Sequence, residues 1–294
     1  LPVPRYDLLD RRRLGFWLPV QASRGCPRVC RFCSVAAFFA GSQRYAPVEH
    51  VVRDVRAAKA RGVRHIALID DNVAGDPDRA ARLFEALIPE RIVWMSQATL
   101  DLAADERLLG LASRSGCRVL SFGIESTSDE SLAWAGKGFN HPSRYGEAIA
   151  RVRAHGIEVS TEMMVGLDGD DATVFDRTVD FLMGHRISVP RIHIVTPVPG
   201  TPLWADLERQ GRILTRDLHA FTGGKVVFRP RRLEPEALQA GFWSMYERLF
   251  TWRAIAHRVR ANPSRLGPLL LAFVAGVNLH YRAHVRRRIC PGIV

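Results

Sequence analysis

Three cysteines crowd one segment, Cys26, Cys30 and Cys33, spaced C-x3-C-x2-C within Ser23-Arg24-Gly25-Cys26-Pro27-Arg28-Val29-Cys30-Arg31-Phe32-Cys33. Thiolates this close on one loop can converge on one iron–sulfur cluster, and three of them leave open one iron of a [4Fe–4S] cluster that four cysteines would close. A small molecule can coordinate at that iron. The competing reading is a structural zinc loop, which needs a fourth Cys or His at finger-like spacing. The nearest His is His50, and Cys117 belongs to a later strand. The chain has 5 cysteines, an odd number, and no apolar stretch before a cleavage site at its start. Metal or redox chemistry in a reducing cytosol is therefore expected, not a disulfide framework. The first residue is Leu1, not Met, and the expectation is a piece of something longer.

The elements that must position this loop follow from periodicity. Short apolar runs rich in β-branched or aromatic residues recur at 16–21, 65–69, 92–96, 119–123, 159–165 and 191–195, each about the length of a buried strand. Helix-period segments alternate with them at 48–55, 80–88, 104–113, 144–154, 172–183 and 202–210. Asp76-Pro77 supplies an N-cap and a first-turn proline to one of these. Gly62, Gly116, Gly156 and Gly211 follow four helices, where a left-handed residue ends a helix. Six β–α repeats in series predict an α/β fold with a parallel sheet and right-handed crossovers. Six units are too few for an eight-fold barrel and fit a partial (β/α)6 barrel, whose chemistry collects at the C-terminal strand ends.

The cysteine motif, with Phe32 before its last Cys and placed after the first strand of such a series, resembles the signature of the radical S-adenosylmethionine (SAM) superfamily. The resemblance covers roughly residues 1–230. Phe122-Gly123-Ile124-Glu125-Ser126, Met164-Val165-Gly166-Leu167-Asp168 and Thr196-Pro197-Val198-Pro199-Gly200-Thr201-Pro202-Leu203 look like blocks of its cobalamin-associated group. Leu1-Pro2-Val3-Pro4-Arg5-Tyr6-Asp7 resembles the linker after that group's cobalamin domain, which is not among these residues. The resemblance implies a [4Fe–4S] cluster on Cys26, Cys30 and Cys33, with the amino and carboxylate groups of SAM on the open iron. Reductive cleavage of SAM then gives a 5′-deoxyadenosyl radical that takes hydrogen from an organic substrate. It also implies an electron donor such as flavodoxin or ferredoxin, and radical methylation where a further domain brings cobalamin; rearrangement, oxidation and cyclisation stay open without it.

Residues at the other strand ends become candidate SAM contacts under this resemblance. Asp71 lies in Asp70-Asp71-Asn72, where the superfamily has a glycine-rich stretch near the methionine amino group; an Asx-type turn is the alternative. Gln97 ends the third strand and is a contact to SAM or substrate, or a satisfied core amide. Glu125 ends the fourth, where a carboxylate accepts both ribose hydroxyls, and Gly123 lets the backbone approach. Glu162, costly to bury without a partner, reads as pointing into the barrel. Gly166 opens the fifth strand end for adenine, and Val198 and Pro199 supply backbone and apolar contact to its ring, with a plain turn as the alternative. Cys117 and His193 read as core residues, and Cys290 as either inert or facing the site.

The net charge is +12, with Arg253, Arg258, Arg260, Arg265, Arg282, Arg286, Arg287 and Arg288 crowding the C-terminal stretch. Residues 1–15 read as linker-like, 16–230 as the barrel and 231–294 as a basic helical appendage, its helix pattern running over 234–288. The apolar segment 266–279 is shorter than the ~20 residues that span a bilayer. It reads best as a helix closing the open side of the barrel. The alternative is a membrane-interface segment, which points to a lipid-like substrate and peripheral membrane contact. Phe242, Trp243 and Tyr246 read as packing, and no nucleic-acid motif is present. A reading of another class is a non-catalytic zinc- or cluster-stabilised module binding anionic lipid or nucleic acid through the basic C-terminus.

Overall fold

The computed structural model describes residues 2–10, 16–260 and 267–292. Leu1, Arg265 and Leu266, used in the sequence reading, lie outside the described residues. The chain opens with β1 (Leu18–Val20), β2 (Ser23–Gly25), α1 (Ser34–Phe39), β3 (Gln43–Tyr45) and α2 (Val48–Ala60). The alternation continues through β4 (His65–Leu68), α3 (Pro77–Leu87), β5 (Val93–Ala98), α4 (Glu106–Arg114), β6 (Cys117–Glu125), α5 (Asp129–Trp134) and α6 (Tyr145–Ala154). Then come β7 (Glu158–Val165), α7 (Val174–Gly184), β8 (Val189–Ile194), α8 (Pro202–Arg209), α9 (Pro235–Leu249), α10 (Trp252–Arg260) and α11 (Pro268–Arg286).

Six strands form one parallel sheet in the order β1-β4-β5-β6-β7-β8, the expected partial barrel. The order follows the chain because each β–α unit lays its strand beside the last. Period-two alternation sets the faces. Leu120, Phe122 and Ile124 of β6 and Val159, Met163 and Val165 of β7 are buried in the core. Val119 and Ser121 of β6, Glu158 and Ser160 of β7, and Val189 and Arg191 of β8 instead line the barrel interior. Asp76 caps α3 as its sequence suggests, accepting from Arg79 N at 3.0 Å.

One feature departs from the sequence pattern. An antiparallel hairpin of β2 and β3 stands apart from the barrel sheet. The C-terminal part is helical as expected: its described residues form α9, α10 and α11, and α11 closes the gap between the unpaired edges β1 and β8. Phe273 of α11 stacks on Phe16 at 5.2 Å and meets Trp17 edge-on at 5.8 Å. One turn and more further on, Asn278 Nδ2 donates to Ser188 O at 2.8 Å. Buried Arg258 of α10, its pKa lowered by burial to about 10, donates to Leu249 O and Asn278 Oδ1.

Candidate active site

The cysteine loop leaves β2 and is braced on both sides. Gly25 has φ +89° and a Cβ there would meet Ser42 O at 2.2 Å, so only glycine lets the hairpin close at this point. Gly25 N donates to Asp71 Oδ2 at 2.9 Å. The Asp70 carboxylate accepts from Ala22 N, Ser23 N and Ser23 Oγ at 2.8, 3.0 and 2.9 Å. The acidic pair after β4 thus holds the entry to Cys26. On the far side Arg31 N donates to Ala135 O at 3.1 Å, and Leu203 N to Arg31 O at 3.1 Å. The Arg31 guanidinium bonds Trp134 O and pairs with Asp206 of α8. Cys33 N returns to Cys30 O at 3.1 Å and Cys33 opens α1.

Cys30 is buried and Cys26 and Cys33 are half-buried. Burial raises the pKa of Cys26 and pushes that of Cys30 up to about 11. Both thiols therefore keep their protons at neutral pH unless a metal displaces them, as coordination does. Three thiols on one clasped loop suit a [4Fe–4S] cluster with one iron open. Among the described residues no group of three or more His, Cys, Asp or Glu side chains could hold a single metal ion.

A residue that the motif search missed stands beside this loop. Lys137 Nζ lies 2.7 Å from Glu125 Oε1, both side chains 7% exposed, and also donates to Gly123 O at 2.8 Å. Burial works against the Lys137 charge, but Glu125 and Cys30 outweigh it and the pKa is raised. A Cβ on Gly123 would meet Lys137 Nζ and Glu125 Oε1 at 2.6 Å each, so this glycine makes room for the ion pair. Glu125 itself is left-handed, φ +63°, which turns the chain sharply at the end of β6. The one available signal was compositional: Lys137 is one of three lysines, with Lys59 and Lys225, in a chain whose Lys and Arg total 42.

The remaining candidates fall into four places. Glu162 points into the barrel, where Arg191 pairs with it and His193 Nε2 lies 3.2 Å from its Oε2. Asp71 and Gln97 line the same interior. Gly166 ends β7 against α9, where a Cβ would meet Leu238 Cδ2 at 2.7 Å, and its N–H is taken by Asp170. Val198 O accepts from Thr201, the cap of α8, and Pro199 is exposed beside Phe38 and Phe39 of α1. Phe32 packs partly buried against the core. Cys117 is fully buried. Cys290 packs beside Gly224.

Residues 20–182 match the radical SAM superfamily. The chain belongs to that superfamily. Its cofactors are a [4Fe–4S] cluster and SAM, the group for which the three-thiol loop is suited. Among relatives of this radical SAM chain, bacteriochlorophyllide d C-12(1)-methyltransferase of Chlorobaculum tepidum is 28% identical over 84% of this chain and 54% of its own length. Hopanoid C-2 methylase of Rhodopseudomonas palustris is 27% identical over 74% of this chain and 42% of its own. The chain thus spans about half the length of the curated relatives it matches. The fold is shared with TsrM of Kitasatospora setae, a radical SAM methyltransferase solved with cobalamin and a [4Fe–4S] cluster, at a TM-score of 0.67 and 15% identity, over 92% of this chain and 60% of that one.

Proposed function

We propose that this chain is the SAM-cleaving part of a radical methyltransferase, and that Cys26, Cys30 and Cys33 hold its cluster. The observation that carries the reading is the braced three-cysteine loop at the strand ends of a barrel whose sequence matches the family. Bound there, the reduced cluster supplies the electron that splits the SAM sulfonium into methionine and a 5′-deoxyadenosyl radical. The chain's own work is positional. Asp70 and Asp71 fix the approach to Cys26, and Arg31 ties the loop to α5 and α8. Lys137 holds the Glu125 carboxylate at the end of β6, where it meets the ribose hydroxyls. Asp71 and Gln97 contact the methionine side, and Gly166, Val198 and Pro199 border the adenine with Phe32 behind the loop.

Methylation as the outcome is supported by the two methyltransferase relatives, with cobalamin, as in TsrM, coming from a further domain. A small flavin or iron–sulfur protein is the electron donor. Among the described residues no helix is long and apolar enough to cross a membrane; peripheral contact is supported by exposed Leu269 and Leu279 on α11, which runs into Arg286. The test is anaerobic reconstitution followed by electron paramagnetic resonance of the dithionite-reduced chain. A [4Fe–4S]+ signal that changes on adding SAM, and is absent from Cys30→Ala, is expected. A reconstituted cluster whose signal ignores SAM would count against the reading.

A further inference from the structure

The helix that seals the barrel is apolar on both sides. Its inward residues Leu270, Val274 and Val277 are buried. Its outward residues Leu269, Ala272, Gly276, Leu279 and Ala283 recur at helical spacing and are exposed, Leu269 by 58% and Leu279 by 46%. A Cβ on Gly276 would meet nothing within 4 Å. This stripe is roughly 20 Å long at the rise of an α-helix. A helix that is hydrophobic all round is normally buried, so the outer face calls for a cover.

The stripe runs into charge. Arg286 and Arg287 follow it and are exposed. Arg282, one turn after Leu279, donates to Phe250 O, and its guanidinium lies 4.6 Å over the ring of Trp252, so α10 and α11 share one surface. Trp252 is 63% exposed, and exposed Arg253 is next to it. After Glu247 the sequence contains no Asp or Glu. Arg248 and Arg288 pair with Asp176 and Glu247, which leaves Arg253, Arg286 and Arg287 without an acid among the described residues. An anionic bilayer meets each of these needs. Apolar side chains enter the acyl boundary, an indole sits at headgroup level, and arginines face lipid phosphates. A nucleic acid would engage the arginines but leave Leu269 and Leu279 in water. A second copy of this face would set like charge against like.

We infer that α10 and α11 dock the chain on an anionic lipid surface, with Trp252, Leu269 and Leu279 inserted and Arg253, Arg286 and Arg287 on the headgroups. This deepens the peripheral contact read above and rests on it, whereas SAM cleavage is independent, so vesicle binding and 5′-deoxyadenosine formation fail separately. The test is sedimentation of the 294-residue chain with vesicles of phosphatidylcholine alone, and of phosphatidylcholine and phosphatidylglycerol in equal parts. Binding to the anionic vesicles only is expected, and it weakens as salt rises. Arg286→Gln/Arg287→Gln weakens it roughly twentyfold, from about fivefold per arginine near such a surface. Arg82→Gln/Arg114→Gln, which takes the same charge from exposed positions on α3 and α4, leaves it nearly unchanged. Leu269→Ser/Leu279→Ser weakens it about tenfold through lost apolar burial. Brominated acyl chains quench the tryptophan fluorescence of the wild type, and Trp252→Phe loses most of that quenching. Equal binding to neutral vesicles, equal loss in the two arginine pairs, or no quenching of Trp252 would overturn the inference. So would a duplex oligonucleotide that binds where vesicles do not, or a dimer that ignores vesicles and is split by Leu279→Ser.

Discussion

Lys137 and Glu125 are both out of water, and removing one partner of such a pair leaves the other charged and uncompensated. Lys137→Met is expected to cost about 3–5 kcal/mol in urea unfolding, and the double change with Glu125→Gln to recover most of it. Asp170 gives a pH signature. Its carboxyl accepts from Gly166 N, Leu167 N and Ser131 Oγ, yet burial dominates and its pKa is raised from 3.8 to about 6. The folded state thus holds the proton more tightly than the unfolded one. Its stabilisation is full below 3.8, declines as pH rises towards 6 and is gone above it. Wild type should lose stability relative to Asp170→Asn across that window, by at most about 1.4 kcal/mol per pH unit, in denaturation series at stepped pH. At this scale the cysteines were readable because their spacing is itself the chemistry. Lys137 was not, since it lies in the loop after α5, its partner Glu125 ends β6, and a lone lysine between glycines carries no pattern.

Helices and barrel strands were readable where one face is apolar and the other polar, as in α3 with its Asp76 cap. The hairpin of β2 and β3 was not. Its strands pair Ser23 with Tyr45 and Gly25 with Gln43 across an intervening helix, a non-local pairing with no short turn to announce it. Its role is to present Cys26, and Gly25 is its tightest point. Gly25→Ala is expected to keep the far-UV circular dichroism of the barrel but to take up far less iron and sulfide per chain on reconstitution. Full cluster content in that variant would show that the hairpin does not shape the loop.

The whole molecule is an open six-strand barrel whose gap is sealed by a helix from the far end of the chain. The apolar run 266–279 predicted a covering helix by its length and pattern, but which edge it covers depends on contacts with Phe16, Trp17 and Ser188 that no local pattern encodes. The seal is held by a polar lock: Asn278 accepts from Arg258 and donates to Ser188 O and Val274 O. Asn278→Leu strands the Arg258 guanidinium with one fewer acceptor and is expected to destabilise the chain by roughly 2–3 kcal/mol, read from urea midpoints at unchanged slope. The central claim concerns what the barrel does with SAM. The direct measurement is 5′-deoxyadenosine, quantified by chromatography after anaerobic reconstitution with iron and sulfide and addition of dithionite and SAM. Formation of the nucleoside by the wild-type chain, abolished in Cys26→Ala, is the result predicted. A chain that binds zinc at one per molecule, takes up no cluster and yields no nucleoside would contradict it.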